Sequence, residues 1–77
     1  MKNVAEIKSF GTSLRKIREQ KGYSQQQLAD IADIAKITIQ RIENAKYTAT
    51  LDVLISISKA LKIPLKELLD FKTKNQL

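Results

Sequence analysis

The side chains of this chain that could do chemistry are amides, cations, carboxylates and hydroxyls, because its 77 residues include neither histidine nor cysteine. Catalytic triads and most metal sites need one of those two residue types, and two glycines are too few for a phosphate-cradling loop. The eight carboxylates are scattered along the chain as single residues. We therefore expect no catalytic residues, no metal, no cofactor and no small-molecule ligand, and we expect that the protein is not an enzyme.

A polar run, Ser24-Gln25-Gln26-Gln27, is better suited to binding than to catalysis. Ser24 is a favourable N-cap, and Gln27 three residues later completes a capping box, so the run predicts the start of a helix. The free N–H groups of a helix start, together with a glutamine amide, can meet a phosphate. The formal net charge of +6 agrees with a polyanionic partner, but charge alone equally fits simple solubility. Phosphate binding requires the cations to share one face.

The elements that position these residues are predicted to be five helices, because apolar residues recur at helical spacing and no segment alternates as a strand does. Gly22 ends the first helix, and Ser24 begins the second. The third is predicted over Ile34–Asn44. The inward residues of these three helices are Ile7, Phe10, Leu14 and Ile17, then Leu28, Ala29 and Ala32, then Ile34, Ile39 and Ile42.

The remaining chain predicts two further helices. Thr50 caps a fourth, and Pro64 occupies the first position of a fifth that runs from Leu65 to Phe71. The predicted inner face of the fourth is Leu51, Leu54, Ile55, Ser58 and Leu61. We expect one domain over residues 1–77, with a core from about 7 to 71 and a frayed tail at 72–77. The lack of cysteine and of a long apolar run favours a cytoplasmic protein without a membrane segment.

The joint spacing of about sixty residues resembles the Cro/repressor-type (XRE) helix-turn-helix family. The matching residues are Arg18, Gly22-Tyr23-Ser24-Gln25-Gln26-Gln27-Leu28-Ala29, Ile34, Ile39-Gln40-Arg41-Ile42-Glu43-Asn44, Leu61-Lys62-Ile63-Pro64 and Glu67-Leu68-Leu69. The resemblance implies a compact all-α five-helix bundle like the lambda repressor domain, with the helix-turn-helix at helices 2 and 3. It also implies a transcriptional regulator, such as a repressor, whose partner is double-stranded DNA.

The resemblance places the third helix in the major groove, and carries base reading over to Lys36, Ile37, Gln40 and Arg41. Helical geometry agrees, because Ile34, Ile39 and Ile42 occupy the other side. Arg41 and Lys36 can reach guanine, and Gln40 can pair with adenine. Ile37 either packs on a thymine methyl group or covers the edge of the core. The alternative for Lys36, Gln40 and Arg41 is that they are ordinary solvated side chains.

Phosphate contacts are expected from two places. Gln25 opens the second helix, and the equivalent glutamine of the family contacts phosphate. The loop after the third helix should run beside the DNA backbone, although Tyr47 could instead be a partly buried loop aromatic. The loop residues concerned are Asn44, Lys46, Tyr47 and Thr48.

The resemblance also assigns Arg18 and Glu43 to an internal ion pair. If the pair is buried it orients the third helix, and if it is exposed it contributes at most about 1 kcal/mol.

Three positions depart from the family pattern. Asp33 stands where the turn often has glycine, and Ala35 replaces the usual Ser or Thr cap of the third helix. Ala45 stands where glycine commonly follows that helix, so we expect Asn44 to take the left-handed conformation. These departures leave the start of the third helix open.

A domain of this size touches few base pairs, which favours a homodimer on a two-part operator. Related proteins dimerise through the last helix, and the candidate interface here is Leu65, Leu68, Leu69 and Phe71. The same residues could merely close the bundle.

The first functional hypothesis is therefore a small homodimeric regulator, similar to restriction–modification controller proteins and small phage repressors. The alternatives are an antitoxin-like or scaffolding module that binds another protein, and a nonspecific DNA-binding protein.

Overall fold

The computed structural model describes residues 2–71, which form five α-helices and, within that range, no strand. The helices are α1 (Val4–Gln20), α2 (Gln25–Ala32), α3 (Lys36–Glu43), α4 (Leu51–Leu61) and α5 (Leu65–Leu68). The prediction of an all-α, five-helix fold is confirmed. The tail predicted to fray, 72–77, lies outside the described residues, as does Met1.

All five helices meet in one core. Helix α2 packs against α3 and α4, α1 packs against α3, and α4 packs against α5. Each helix contributes at least one fully buried large side chain, so the core is continuous from α1 to α5. These side chains are Leu14, Leu28, Ile39, Ile42, Ile57, Leu61 and Leu68.

The helix boundaries follow from local signals that the sequence carries. Gln27 N–H donates to Ser24 Oγ at 3.0 Å, and Ser24 N–H donates to Gln27 Oε1 at 2.8 Å, which confirms the capping box. Gly22 has φ of 82° beyond the end of α1, a conformation that glycine adopts without a steric penalty. Val53 N–H donates to Thr50 Oγ1 at 3.2 Å, so the predicted cap of α4 is also present.

The predicted bounds of the third and fifth helices were wrong. Helix α3 begins at Lys36, because Asp33 is left-handed and Ala35 is extended as its N-cap, which leaves Ile34 in the turn. Helix α5 ends at Leu68, and Pro64 is its N-cap rather than its first helical residue. Phe71 lies beyond α5 and packs on Phe10, with ring centroids 5.7 Å apart.

The inner face of α4 was only partly predicted. Ser58 and Leu61 are buried, whereas Leu51 is 62% exposed and Leu54 and Ile55 are half-buried. The sequence missed two buried residues of this helix, Ile57, which is fully buried, and Ala60. Burial on α4 is concentrated in its second half, and Leu51 begins the helix at the opposite end.

Gly11, in the middle of α1, is where that helix comes closest to α3. A Cβ atom at this position would lie 2.5 Å from Ile42 O and 2.9 Å from Glu43 O, and both of these are backbone atoms that cannot rotate away. Glycine normally weakens a helix interior, so its presence here has a packing reason. It lets α1 support the last turn of α3 directly.

The left-handed residue after α3 is Ala45, with φ of 58°, whereas Asn44 has φ of −97°. The expectation for Asn44 was therefore wrong. Two bonds hold the turn in this form, Ala45 N–H to Ile42 O at 3.1 Å and Lys46 N–H to Arg41 O at 2.7 Å. Because alanine has a Cβ, the left-handed conformation costs about 1–2 kcal/mol.

Replacing Ala45 by glycine is expected to stabilise the protein by about 1 kcal/mol, because relief of the left-handed penalty exceeds the added entropy of the unfolded chain. Urea unfolding measures this change. The matched control is Ala49→Gly in the same loop, where φ is not positive. That control should lose stability, and equal effects of the two substitutions would contradict the assignment of strain to Ala45.

Candidate nucleic-acid interface

A three-residue turn joins α2 to α3. Asp33 adopts φ of 58° and ψ of 46°, the left-handed conformation that aspartate tolerates better than most residues. Ile34 N–H then donates to Ala29 O at 3.0 Å, and the extended Ala35 leads into α3 without a side-chain cap. This turn sets α3 against α2 and leaves one side of α3 uncovered.

The uncovered side of α3 carries the four residues that the sequence assigned to base reading. Lys36 and Arg41 are exposed, Gln40 is half-buried, and Ile37 is 48% exposed. Lys36 lies one turn before Gln40, and Ile37 one turn before Arg41, so the four form two adjacent columns. Ile37 belongs neither to the buried core nor to the half-buried apolar residues packed against it.

The end of α3 is fixed by Glu43, whose carboxylate is buried between three helices. Arg18 of α1 donates two hydrogen bonds to this carboxylate, from Nε to Oε2 at 2.7 Å and from Nη2 to Oε1 at 3.0 Å. Arg18 Nη1 also donates to Tyr23 O at 2.8 Å, in the turn that leads to α2. Arg18 and Glu43 are 7% and 6% exposed. The ion pair is therefore buried, which is the case in which it is expected to orient α3.

Two further donors reach Glu43 Oε1. Gln25 Nε2 donates to it at 3.0 Å, and Arg15 Nε donates at 3.3 Å. Within the described residues no buried side-chain polar atom lacks a partner. The carboxylate therefore links α1, α2 and α3 through one set of hydrogen bonds, which is the arrangement that a buried charge requires.

The electrostatics of the pair follow from these contacts. Burial alone would raise the pKa of the Glu43 carboxyl, but hydrogen bonds from Arg18, Gln25 and Arg15 and the charge of Arg18 together hold that pKa below its usual value. The hydrogen bond with Glu43 likewise raises the pKa of Arg18 against the opposing effect of burial. Both groups are therefore charged at neutral pH.

The residues expected at phosphate lie in two places. Gln25 is the first residue of α2, but its amide nitrogen is engaged with Glu43, a contact that the sequence did not reveal. Asn44 is exposed directly after α3, and its Oδ1 accepts from Arg15 Nη2 at 3.1 Å. Lys46 and Thr48 are exposed in the loop that follows, whereas Tyr47 is half-buried and packs against the core.

Arg15 and Gly11 are the site residues that sequence reasoning missed. Arg15 precedes Arg18 by three residues, so it lies on the same side of α1 and can reach the same partner. Gly11 lies one turn before Arg15 and carried its own signal, a glycine inside a helical pattern. Neither signal identifies the partner, because the contact with α3 spans 28 residues of sequence from Arg15 to Glu43.

The four residues of the candidate dimer interface are not equally accessible. Leu69 is 42% exposed, Leu65 and Phe71 are half-buried, and Leu68 is fully buried. The assignment of Leu68 to the interface was wrong, because none of its surface is free to touch a second chain. Its burial inside the core instead anchors α5.

Comparison with known proteins identifies the family. The sequence model of the family described as Helix-turn-helix matches residues 14–68, which include α2, the turn and α3. The chain belongs to the XRE-type helix-turn-helix family. Among curated relatives, the control protein C.BamHI of Bacillus amyloliquefaciens is 42% identical over 65 residues, which cover 83% of this chain and 80% of that protein.

A second curated relative is much longer. An HTH-type transcriptional regulatory protein of Pyrococcus furiosus is 34% identical over 69 residues. The match covers 88% of this chain but 22% of the relative, so the chain spans about a fifth of its length.

Solved structures of the family superpose on nearly the whole described fold. The restriction–modification controller protein C.AhdI of Aeromonas hydrophila matches with a TM-score of 0.81 and 30% identity, covering 83% of this chain and 97% of that chain. The biofilm regulator SinR, solved in complex with DNA, matches with a TM-score of 0.73 and 32% identity, covering 79% and 98%. These are DNA-binding transcription regulators, and this chain is a member of their family.

Membership of this family also bears on the expectation that the protein is not an enzyme. The family consists of DNA-binding regulators rather than enzymes. Among the described helices, none combines the length and the apolar character that crossing a bilayer requires.

Proposed function

We propose that the protein is a sequence-specific transcriptional regulator that binds double-stranded DNA as a homodimer, with α3 in the major groove. The observation that carries the proposal is the outer side of α3, where Lys36, Ile37, Gln40 and Arg41 stand together on a helix whose far end is locked by Glu43. A rigid helix presents its side chains in a fixed pattern, and a fixed pattern is what direct readout of base edges needs.

Each of the four side chains has a matching feature in the groove. The Arg41 guanidinium fits the two acceptors of guanine, and the Gln40 amide fits adenine. Lys36 reaches guanine acceptors from the first turn, and Ile37 packs on a thymine methyl group.

Phosphate contacts flank the reading helix in this proposal. Gln25 presents the second N–H of its amide at the start of α2, where the helix dipole also favours an anion. Asn44, Lys46, Tyr47 and Thr48 follow the end of α3 and meet the DNA backbone there. Tyr47 does so with the part of its side chain that the core leaves uncovered.

Selection of bound duplexes from a random pool tests the reading function. The expected product is a two-fold-symmetric site with half-sites about 34 Å apart, one turn of DNA. A pool that gains no consensus, with equal affinity for all duplexes, would reduce the protein to a nonspecific DNA-binding protein. Absence of any DNA binding would leave the protein-interaction alternative.

Dimerisation is proposed through the exposed apolar surface near the end of the described chain, which includes Leu69 and the accessible parts of Leu65 and Phe71. A contiguous exposed apolar surface often marks a protein interface, and a dimer doubles the number of bases read. The support for this surface is the 42% exposure of Leu69.

Leu69→Glu is expected to shift the monomer–dimer equilibrium towards monomer, because two charges would have to be buried in a symmetric contact. Sedimentation over a range of concentrations measures the shift. The matched control is Val4→Glu, which makes the same change at a residue that is 52% exposed at the start of α1. A wild-type protein that stays monomeric at high micromolar concentration, with and without DNA, would refute the dimer.

A further inference from the structure

Arg15 is oriented by the fold and yet open to solvent. Its Nε donates to Glu43 Oε1 at 3.3 Å, and its Nη2 donates to Asn44 Oδ1 at 3.1 Å. Two bonds to two different acceptors fix the plane of the guanidinium, while 46% of the side chain remains accessible. Three of the five guanidinium N–H donors have no acceptor among residues 2–71.

The need to neutralise Glu43 does not explain why a second arginine, Arg15, lies beside this carboxylate. The carboxylate already has a buried, two-bonded partner in Arg18, whose Nε lies 2.7 Å from Oε2, closer than Arg15 Nε lies to Oε1. Two guanidinium groups therefore surround one carboxylate, and the local charge is +1. The surplus positive charge resides on the arginine that faces solvent, where the remaining guanidinium donors can bind an anion.

The surroundings of Arg15 indicate which anion this is. Gln25 Nε2 donates to the same atom, Glu43 Oε1, at 3.0 Å, so the Arg15 guanidinium and the Gln25 amide converge on one point. The second acceptor of the Arg15 guanidinium is Asn44, the residue that follows α3. Arg15 thus lies between the start of α2 and the end of α3, the two places where the DNA backbone is proposed to pass.

We propose that Arg15 binds a phosphate of the DNA backbone, and that Glu43 and Asn44 are positioning residues for its guanidinium. The inference rests on the proposed function and adds a phosphate contact from α1, outside the helix-turn-helix itself. A planar guanidinium held in place before binding offers a pair of parallel N–H donors to two phosphate oxygens. The prior orientation reduces the entropy lost on binding.

Arg15→Gln is expected to lower the steepness of the salt dependence of DNA binding. Each phosphate neutralised contributes about 0.9 to the slope of log K against log salt, so each bound protomer should lose about 0.9. Taking 1 M salt as the reference, this loss makes binding about eightfold weaker per protomer at 0.1 M. The probe is a duplex of random sequence, so that no operator has to be known, and fluorescence anisotropy gives the affinities.

The matched control is Lys16→Gln, which removes the same charge from the next exposed residue of α1, where no bond to Glu43 or Asn44 is made. Its slope is expected to equal that of the wild type. Thermal unfolding of Arg15→Gln should also match the wild type, since Arg18 still neutralises Glu43. Arg15→Lys keeps the positive charge but lacks the pair of parallel N–H donors. This variant should keep the wild-type salt slope and bind DNA more weakly than the wild type.

The outcomes separate the two proposals. A wild type that fails to bind duplex DNA at low salt overturns the proposed function itself. A wild type that binds while Arg15→Gln keeps the wild-type slope overturns only the role of Arg15, even if affinity falls. A marked loss of thermal stability in Arg15→Gln overturns it as well, because Arg15 would then serve chiefly to compensate Glu43.

Discussion

Replacing Glu43 by glutamine is expected to lower the free energy of unfolding by about 3–5 kcal/mol, because the substitution leaves the buried Arg18 charge without a counter-ion. A domain of this length has a total stability of only about 4–12 kcal/mol. The loss would therefore remove a large part of what keeps the protein folded. Urea unfolding of the wild type and the variant measures the difference directly.

A double-mutant cycle separates the ion pair from other effects of the substitution. Arg18→Met removes the opposite charge and keeps much of the side-chain volume, so the double variant Arg18→Met, Glu43→Gln should be more stable than the sum of the single losses predicts. The expected coupling energy is about 2–3 kcal/mol. A coupling near zero would mean that the two residues act independently, contrary to their bonds of 2.7 and 3.0 Å.

Glu19→Gln is the matched control for the loss of charge. Glu19 is an exposed acidic residue of α1, and the same substitution there should change stability by less than about 0.5 kcal/mol. An equal loss at both positions would indicate an effect of net charge rather than of the buried pair.

The same pair makes a prediction about pH. The folded pKa of Glu43 is lower than its ordinary value, so its contribution to stability is complete above the unfolded pKa, about 4.3, and is lost as the pH falls through the folded pKa. Glutamine does not titrate. The stability difference between wild type and Glu43→Gln should therefore be largest near neutral pH and shrink on acidification below about pH 4.3.

Arg41→Ala is expected to produce the second large effect, on DNA recognition. A bidentate arginine contact to guanine discriminates by about 1–3 kcal/mol, and a homodimer makes it once in each half-site. The loss on the selected operator is therefore about 2–6 kcal/mol, or roughly 30-fold to 10⁴-fold in affinity. Since Arg41 is exposed, thermal unfolding should be unchanged.

The control for Arg41 is Lys46→Ala, in the loop after α3. A lost phosphate contact should weaken binding to all duplexes alike and reduce the salt slope by about 0.9 per protomer, whereas Arg41→Ala should relax the preference at one base pair. Competition between the selected operator and single-base variants distinguishes the two. If Arg41→Ala weakened every duplex equally, Arg41 would be a phosphate contact and base reading would fall to the other three residues.

Local chemistry determined much of this protein from its sequence alone. The capping box at Ser24, the cap at Thr50 and the glycine after α1 involve residues at most three or four apart, so their geometry follows from the order of residues. Helical periodicity likewise predicted five helices, and the same spacing carried the family resemblance.

The errors in predicted burial have one physical cause. Periodicity tells which side of a helix is apolar, but not which of its turns has a neighbour to pack against. Leu51 and Leu68 are both apolar residues at helical spacing, yet Leu51 is 62% exposed and Leu68 is fully buried. The difference arises because α4 buries its second half and α5 packs on α4.

The family resemblance assigned the ion pair of Arg18 and Glu43, but only the tertiary structure showed that the pair is buried and what else holds α3. Glu43 accepts hydrogen bonds from Arg15, Arg18 and Gln25, which lie 18 to 28 residues away in the chain. Gly11 lets the backbone of α3 approach so closely that a Cβ at position 11 would lie 2.5 Å from Ile42 O. Such contacts depend on how whole helices are placed against each other, which no local pattern encodes. The sequence by itself thus determined the elements and the family, and the packing of α1 on α3 decided which side chains stand ready at the proposed DNA surface.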